Sequence, residues 1–227
     1  MSRPKVLLSW SSGKDSAWAL WRLRQADEVE VVGLLTTFNQ DVDRVSMHGV
    51  RRELARAQAS AVGLPLVEVP IPAECSNAQY EAVMGETLAR VREDGVTEVA
   101  FGDLFLEDIR RYREDKLAPV GMRARFPLWG LDTAALAREM VAAGLRATLT
   151  AVDTEQLDPR FVGRTFDAAL LDDLPPGVDP CGENGEFHTF AHRGPMFPAP
   201  LSIEVDEVVD RGRMVFADVL PANVQLP

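Results

Sequence analysis

The stretch Val6-Leu7-Leu8-Ser9-Trp10-Ser11-Ser12-Gly13-Lys14-Asp15-Ser16 carries an apolar strand into a small, hydroxyl-rich turn, with a helix beginning on the far side. Such a passage aims backbone N–H groups and the positive end of a helix dipole at one point, where a phosphate can sit. Lys14 adds a mobile positive charge, Asp15 a metal or ribose contact, and the serines short hydroxyl donors. The turn is not a Walker A loop, because Leu8 stands where the first glycine belongs and Asp15 follows the lysine. The bland alternative is a capped helix start and nothing more.

Working outward, strand and helix patterns alternate four times, which predicts a doubly wound parallel sheet of the α/β class. Strands are expected at Pro4–Ser9, Val29–Phe38, Leu64–Val69 and Thr97–Phe101. The helix Asp15–Gln25 turns Ala17, Leu20 and Trp21 inward, and the next helix places Val50, Leu54, Ala57 and Ala61 at helical spacing. Ser76 and Gln79 form a capping box for a third helix, and Leu104–Leu117 reads as a charged fourth. Ligands in such sheets bind at the carboxyl ends of the strands, near the switch point. Ser9, Thr37, His48, Gly102 and Asp103 all fall near those ends.

Beyond the compact turn Phe126–Gly130 the composition changes, which places a boundary near residue 130 and a smaller α+β domain over 131–227. Asp132 caps a helix to Ala143, a strand follows over Leu145–Val152, and Leu201–Val209 with Met214–Leu220 reads as a hairpin. The segment Gly182-Glu183-Asn184-Gly185-Glu186-Phe187-His188-Thr189 puts two carboxylates, an amide, an imidazole and a hydroxyl on one glycine-kinked run. It serves to orient an amine, hold a substrate or move a proton, or it is a polar turn. Cys181, His188 and His192 have zinc-type side chains but lack the second cysteine of a closed site. No Gly-x-Ser-x-Gly elbow or His-Glu-x-x-His pair is present, which removes the common hydrolase and metalloprotease readings.

The 227 residues carry a formal net charge of -11. That balance counts against a nucleic-acid partner, although Arg110, Arg111, Arg113, Arg123 and Arg125 form a local basic cluster. No apolar run approaches the ~20 residues of a membrane span, and no signal-peptide pattern precedes the first strand. Cys75 and Cys181 are too few for a disulfide framework. A cytoplasmic protein with no membrane partner is expected.

Ser11-Ser12-Gly13-Lys14-Asp15-Ser16 resembles the Ser-Gly-Gly-Lys-Asp-Ser pyrophosphate (PP) loop of the ATP pyrophosphatases, with Ser12 in place of a glycine. Taken with Met47-His48, Gly102-Asp103, Pro127-Leu128-Trp129 and the Gly182–Thr189 run, the chain resembles the diphthine–ammonia ligase family of adenine nucleotide α-hydrolases. The resemblance implies the HUP/PP-loop fold, with ATP bound by residues 1–130 and an acceptor held by the C-terminal domain. It implies adenylation of a carboxylate-bearing acceptor, a protein side chain or a small molecule, followed by displacement of AMP by ammonia. In the family's reference reaction the acceptor is a modified histidine on a translation factor. ATP would lie against Ser9, Trp10, Ser11, Ser12, Gly13, Lys14, Asp15, Ser16, Thr37, His48, Gly102 and Asp103. Glu183, Asn184, Glu186, His188 and Thr189 would hold the acceptor, with Lys14, Asp15, Glu183, Glu186 and His188 as the catalytic set. Mg²⁺ is expected with the ATP, on Asp15 or Asp103. A PP-loop tRNA-modifying enzyme and a non-catalytic ATP sensor remain as alternatives.

Overall fold

A computed structural model describes residues 3–222. β1 (Lys5–Ser9) lies between β2 (Glu30–Asn39) and β5 (Val96–Ala100) and runs parallel to both. β4 (Leu66–Ile71) pairs with the outer edge of β2, and β6 (Arg123–Arg125) with the outer edge of β5. The parallel order is therefore β4-β2-β1-β5-β6, with the expected switch point between β1 and β5. A two-residue strand, β3 (Arg44–Val45), adds antiparallel to the end of β2 and makes the sheet mixed.

The helices follow their strands. α1 (Lys14–Ala26) buries Ala17, Trp18, Ala19, Leu20 and Leu23, whereas Trp21, expected inward, is only half-buried at the edge of the core. α2 (Arg52–Val62) is rotated from the expected face: it buries Leu54, Ala55, Gln58, Ala59 and Val62, while Ala57 and Ala61 are only half-buried. The reason is polar, since Gln58 is drawn inward by three hydrogen bonds. α3 (Asn77–Glu93) begins with the expected Ser76–Gln79 capping box. α4 (Glu107–Leu117) starts three residues later than expected, because Leu104 is held between chains of contacts: its N–H on Glu183 and its carbonyl under Gly130 N–H.

β6 is a strand that the pattern did not show. Arg123 and Arg125 each donate at 2.7 Å to Glu98, whose side chain is 4% exposed on neighbouring β5. Members of the basic cluster are thereby paired with carboxylates of the chain itself, and Arg110 also pairs with Glu114 at 2.9 Å on the surface of α4. A buried carboxylate needs such partners, and the strand supplies them.

α5 (Thr133–Ala142), capped by Asp132, leads to a second sheet of β7 (Arg146–Asp153), β8 (Phe187–Arg193), β9 (Ile203–Arg211) and β10 (Met214–Pro221). All neighbours are antiparallel, in the order β8-β7-β10-β9, and β9–β10 is the expected hairpin. A short helix, α6 (Ala168–Asp173), was not foreseen. Trp18 and Leu20 of α1 share one core with Leu149 of β7, Phe166 and Phe187. Burying each such large side chain contributes about 2 kcal/mol, so α1 is held between both halves of the chain. No helix among the described residues is long and apolar enough to cross a membrane.

Candidate active site

The turn after β1 is completed by residues of the second sheet. Trp10 N–H donates to Leu35 O at 2.8 Å, and the Trp10 indole N–H reaches the Gln58 side-chain oxygen at 2.8 Å. The Gln58 amide then donates to Ser12 O at 3.0 Å and to Ala191 O at 2.6 Å. Ala191 N–H closes the square on Ser12 O at 2.9 Å. Ser12 sits at φ 69°, the left-handed region that suits glycine, which accounts for the glycine of the PP-loop pattern at this position. Gly13 offers α1 no side-chain cap, and the Thr189 hydroxyl takes that place by accepting from Lys14 N–H at 3.1 Å. A Cβ on Gly13 would stand 3.3 Å from both His48 Cε1 and Thr189 O. Three distant segments meet over that glycine. Gly102 allows a similar approach at the switch point, where a Cβ would fall 3.0 Å from the Asp15–Ser16 peptide. Ser16 Oγ turns back to Gly13 O at 3.0 Å and lies 3.3 Å from Ser11 Oγ.

Lys14 departs from the expectation of a mobile charge. It is 1% exposed, and its ammonium donates to both Asp15 oxygens at 3.0 and 2.8 Å and to Cys181 O. The rings of Phe187 and Phe166 lie 5.3 and 5.5 Å from it. Burial alone would lower its pKa, but the Asp15 charge, with Cys181 and Asp179 nearby, raises it and keeps the amine protonated. Glu183 lies close to the Lys14–Asp15 pair, one oxygen accepting from Leu104 N–H at 2.7 Å. Burial pushes Glu183 up to about 7 against that hydrogen bond, and the charges of Asp15 and Asp103 add to the rise. A carboxyl poised there can both take and give a proton.

The expected Mg²⁺ ligands are engaged elsewhere. Asp15 is tied to Lys14, and Asp103 accepts from Arg113 at 2.6 and 3.2 Å. Among the described residues, no group of three or more His, Cys, Asp or Glu is placed to hold a metal ion.

A cavity of about 500 Å³ opens beyond the ends of β1, β2 and β5, between α3 and α4. Leu35, Ile71, Met84 and Phe101 give it apolar walls, while Ser9, Ser11, Thr37, Ser46 and His48 line its polar end. The volume and the mix of surfaces suit a nucleoside-sized ligand. Two of its lining residues carry buried polar atoms without a protein partner, Ser46 Oγ and His48 Nδ1, and Ser12 Oγ in the adjoining turn is a third. The His48 ring packs on His188 at 4.5 Å between centroids. Burial lowers both imidazoles, His188 to about 4, so both are neutral at pH 7.

The Gly182–Thr189 run divides its residues between two tasks. Glu186 is 2% exposed, and its carboxylate accepts from Asp179 N–H at 2.9 Å, Asn184 N–H at 3.0 Å and the Asn184 amide at 3.0 Å. It closes its own loop and does not line the cavity; Asn184 is exposed and serves Glu186. Thr189 caps α1, His188 packs on His48, and Glu183, which does not line the cavity either, reaches Leu104 N–H near Lys14 and Asp15. Cys181 is buried with its thiol on Thr133 O, and burial pushes that thiol up, away from a nucleophile's range. His192 lies with them in sequence but not in any shared metal geometry.

Gln58, Ser46 and Arg113 are the residues that sequence reasoning missed. Gln58 carried a faint signal, a polar residue where the helical phase of Leu54 and Val62 puts the core. Ser46 and Arg113 carried none: Ser46 Oγ has no protein partner to mark it, and Arg113 meets Asp103 only once α4 has folded back on the end of β5.

Residues 4–124 match the family model of the diphthamide synthase N-terminal domain, and residues 132–217 that of the diphthamide synthase C-terminal domain. A diphthine–ammonia ligase of the zebrafish Danio rerio is 29% identical over 228 residues, which span 94% of this chain and 86% of that protein. The Homo sapiens protein of the same name is 27% identical over 231 residues, spanning 92% of this chain and 86% of that one.

Proposed function

The chain belongs to the diphthamide synthase family, and on that premise we propose that it is an ATP-dependent, AMP- and pyrophosphate-forming ligase that converts a carboxylate to an amide with ammonia. One observation carries the ATP part of the reading. Ser12 Oγ, Ser46 Oγ and His48 Nδ1 are buried polar atoms without partners, gathered beside a nucleoside-sized cavity at the amino end of α1. A polyphosphate supplies the acceptors and a ribose the hydroxyls that would satisfy such groups.

The chemistry then runs in two steps. An acceptor carboxylate oxygen attacks the α-phosphorus of ATP, the α–β bridging bond breaks, and pyrophosphate leaves toward the N-terminus of α1. Ammonia next attacks the acyl carbon and AMP leaves with the former carboxylate oxygen. Ammonium must lose a proton before it can attack, and we assign its acceptance to Glu183, whose pKa burial raises to about 7. Lys14 works from behind the loop: held by Asp15 and Cys181 O, its fixed charge favours anionic phosphate without leaving the protein interior. Mg²⁺ would travel on the phosphates of ATP, since Asp15 and Asp103 are occupied by Lys14 and Arg113, and no step is assigned to it. ATP supply and two free thiols fit a cytoplasmic location.

The test is incubation with α-³²P-ATP, ammonium and pooled protein or metabolite acceptors. AMP that forms only when acceptor and ammonium are both present supports the ligase. ADP as the product would overturn α–β cleavage, and tight binding with no product would favour a sensor.

A further inference from the structure

Residues 44–51 form a turn whose tip lines the cavity and whose base is fastened by the other half of the chain. Arg44 and Arg51 bridge as an antiparallel pair, and Val45 N–H donates to Val50 O at 2.7 Å. Between them Ser46, Met47 and His48 line the cavity. Met47, at φ 65° and 77% exposed, is the outermost residue of this lip.

The fastening is Asp218 on β10. Its carboxylate, 7% exposed, accepts from Arg44 at 2.8 and 3.0 Å and from Arg51 at 3.1 and 2.6 Å. Burial would push this carboxyl up, but the hydrogen bonds from Arg44 and Arg51 outweigh it and hold the group well below the usual range. Arg44 also donates to Gly49 O at 2.8 Å. Phe216, two residues before Asp218 and so on the same face of β10, packs on Gly49: a Cβ there would stand 3.1 Å from Phe216 Cδ1. The tip is held from the same half, by His188 against His48.

A buried ion cluster is weak evidence for stability, because apolar residues of similar size often stabilise as well or better. What a planar fork on each side of one carboxylate does supply is geometry, and here it fixes the spacing of the two ends of one turn. We propose that Asp218 is a positioning residue: by tying Arg44 to Arg51 it sets the 45–50 turn at the height where Ser46 and His48 meet the nucleotide. Affinity for ATP is thereby set by the C-terminal sheet, through a carboxylate that does not line the cavity. The proposal rests on the reading that this cavity holds ATP.

The test pairs ATP titration calorimetry with amide hydrogen exchange on the full chain. Asp218→Asn should weaken ATP binding by about tenfold or more, as displacement of a binding group does. Exchange should quicken at Val45 and Gly49, whose N–H groups close the turn, while β7–β10 amides keep their protection. If Asp218→Asn does not fold, Arg51→Lys keeps the charge, loses the fork and should show the same local signature at smaller size. Unchanged affinity with unchanged exchange in the turn would overturn the proposal, as would loss of protection throughout the chain in both variants. A wild-type chain that binds no ATP would sink the ligase reading itself and the link to affinity with it. The exchange data would still decide, by themselves, whether Asp218 holds the turn.

Discussion

Around the cavity, Ser12 Oγ, Ser46 Oγ and His48 Nδ1 are buried without a partner, whereas the loop over residues 179–186 satisfies its buried carboxylates from within. The first region is poor in recognisable pattern beyond the PP loop; the second is the richest motif in the chain. Their roles run opposite to their appearance. The motif-rich segment spends Glu186 on its own loop and Thr189 on the cap of α1, and so acts mainly as scaffold. The unpartnered buried polar groups of the first region lie on the turn at 44–51 and in the turn after β1. Glu183 is the exception, a member of the motif whose carboxyl reaches out of its own loop to Leu104 N–H after β5.

The largest effect that tests this contrast is Glu186→Ala. It leaves three donors unpaired inside the loop, so unfolding free energy should drop by roughly 3 kcal/mol or more in a denaturant titration. A variant that keeps its stability and ATP binding yet makes no AMP would restore Glu186 to the acceptor chemistry. Glu183→Gln should act the other way round, on rate more than on fold. A general base contributes about a hundredfold or more, so AMP formation should fall by that order and lose its rise through pH 7.

Stability supplies the second reading of Glu183. Its folded pKa lies above the ordinary 4.5, so its favourable contribution is complete below 4.5 and is lost as pH rises through about 7. Glu183→Gln should therefore raise Tm relative to wild type more at pH 8 than at pH 4.5, as differential scanning calorimetry would show. An equal shift at both pH values would remove the raised pKa from the argument. The smallest change is Ser12→Gly, which relieves the left-handed backbone and should stabilise the chain by about 0.5 kcal/mol. If it weakens ATP binding while stabilising the fold, the Ser12 hydroxyl belongs to the open, ligand-facing group.

Much of the fold was legible because its signals are local. The β1–α1 passage, the Ser76 capping box, the Asp132 cap and the β9–β10 hairpin each depend on residues within a few positions of one another. The misses depend on distance. Arg-Ala-Arg becomes β6 only because Glu98 is buried on the next strand, and the inward turn of Gln58 needs Trp10, Ser12 and Ala191 already in place. In the site, the strand–turn–helix passage at Ser9–Ser16 was legible, but the direction of the Lys14 side chain was not. That direction is set by Cys181 O, 167 positions away. Asp218 was invisible for the same reason: an aspartate in a C-terminal strand says nothing of the two arginines that surround it.

The cap that Thr189 places on α1 also imposes an order in time. The hydroxyl lies 175 positions after the N–H it accepts. At synthesis rates of roughly 5–20 residues per second, the first helix waits about ten to thirty-five seconds on the ribosome for its own N-terminus to be finished. Through that interval the emerging chain carries the whole PP loop but not the residues that shape it. A nascent chain therefore holds an unfinished turn until the strand that carries Thr189 has been made.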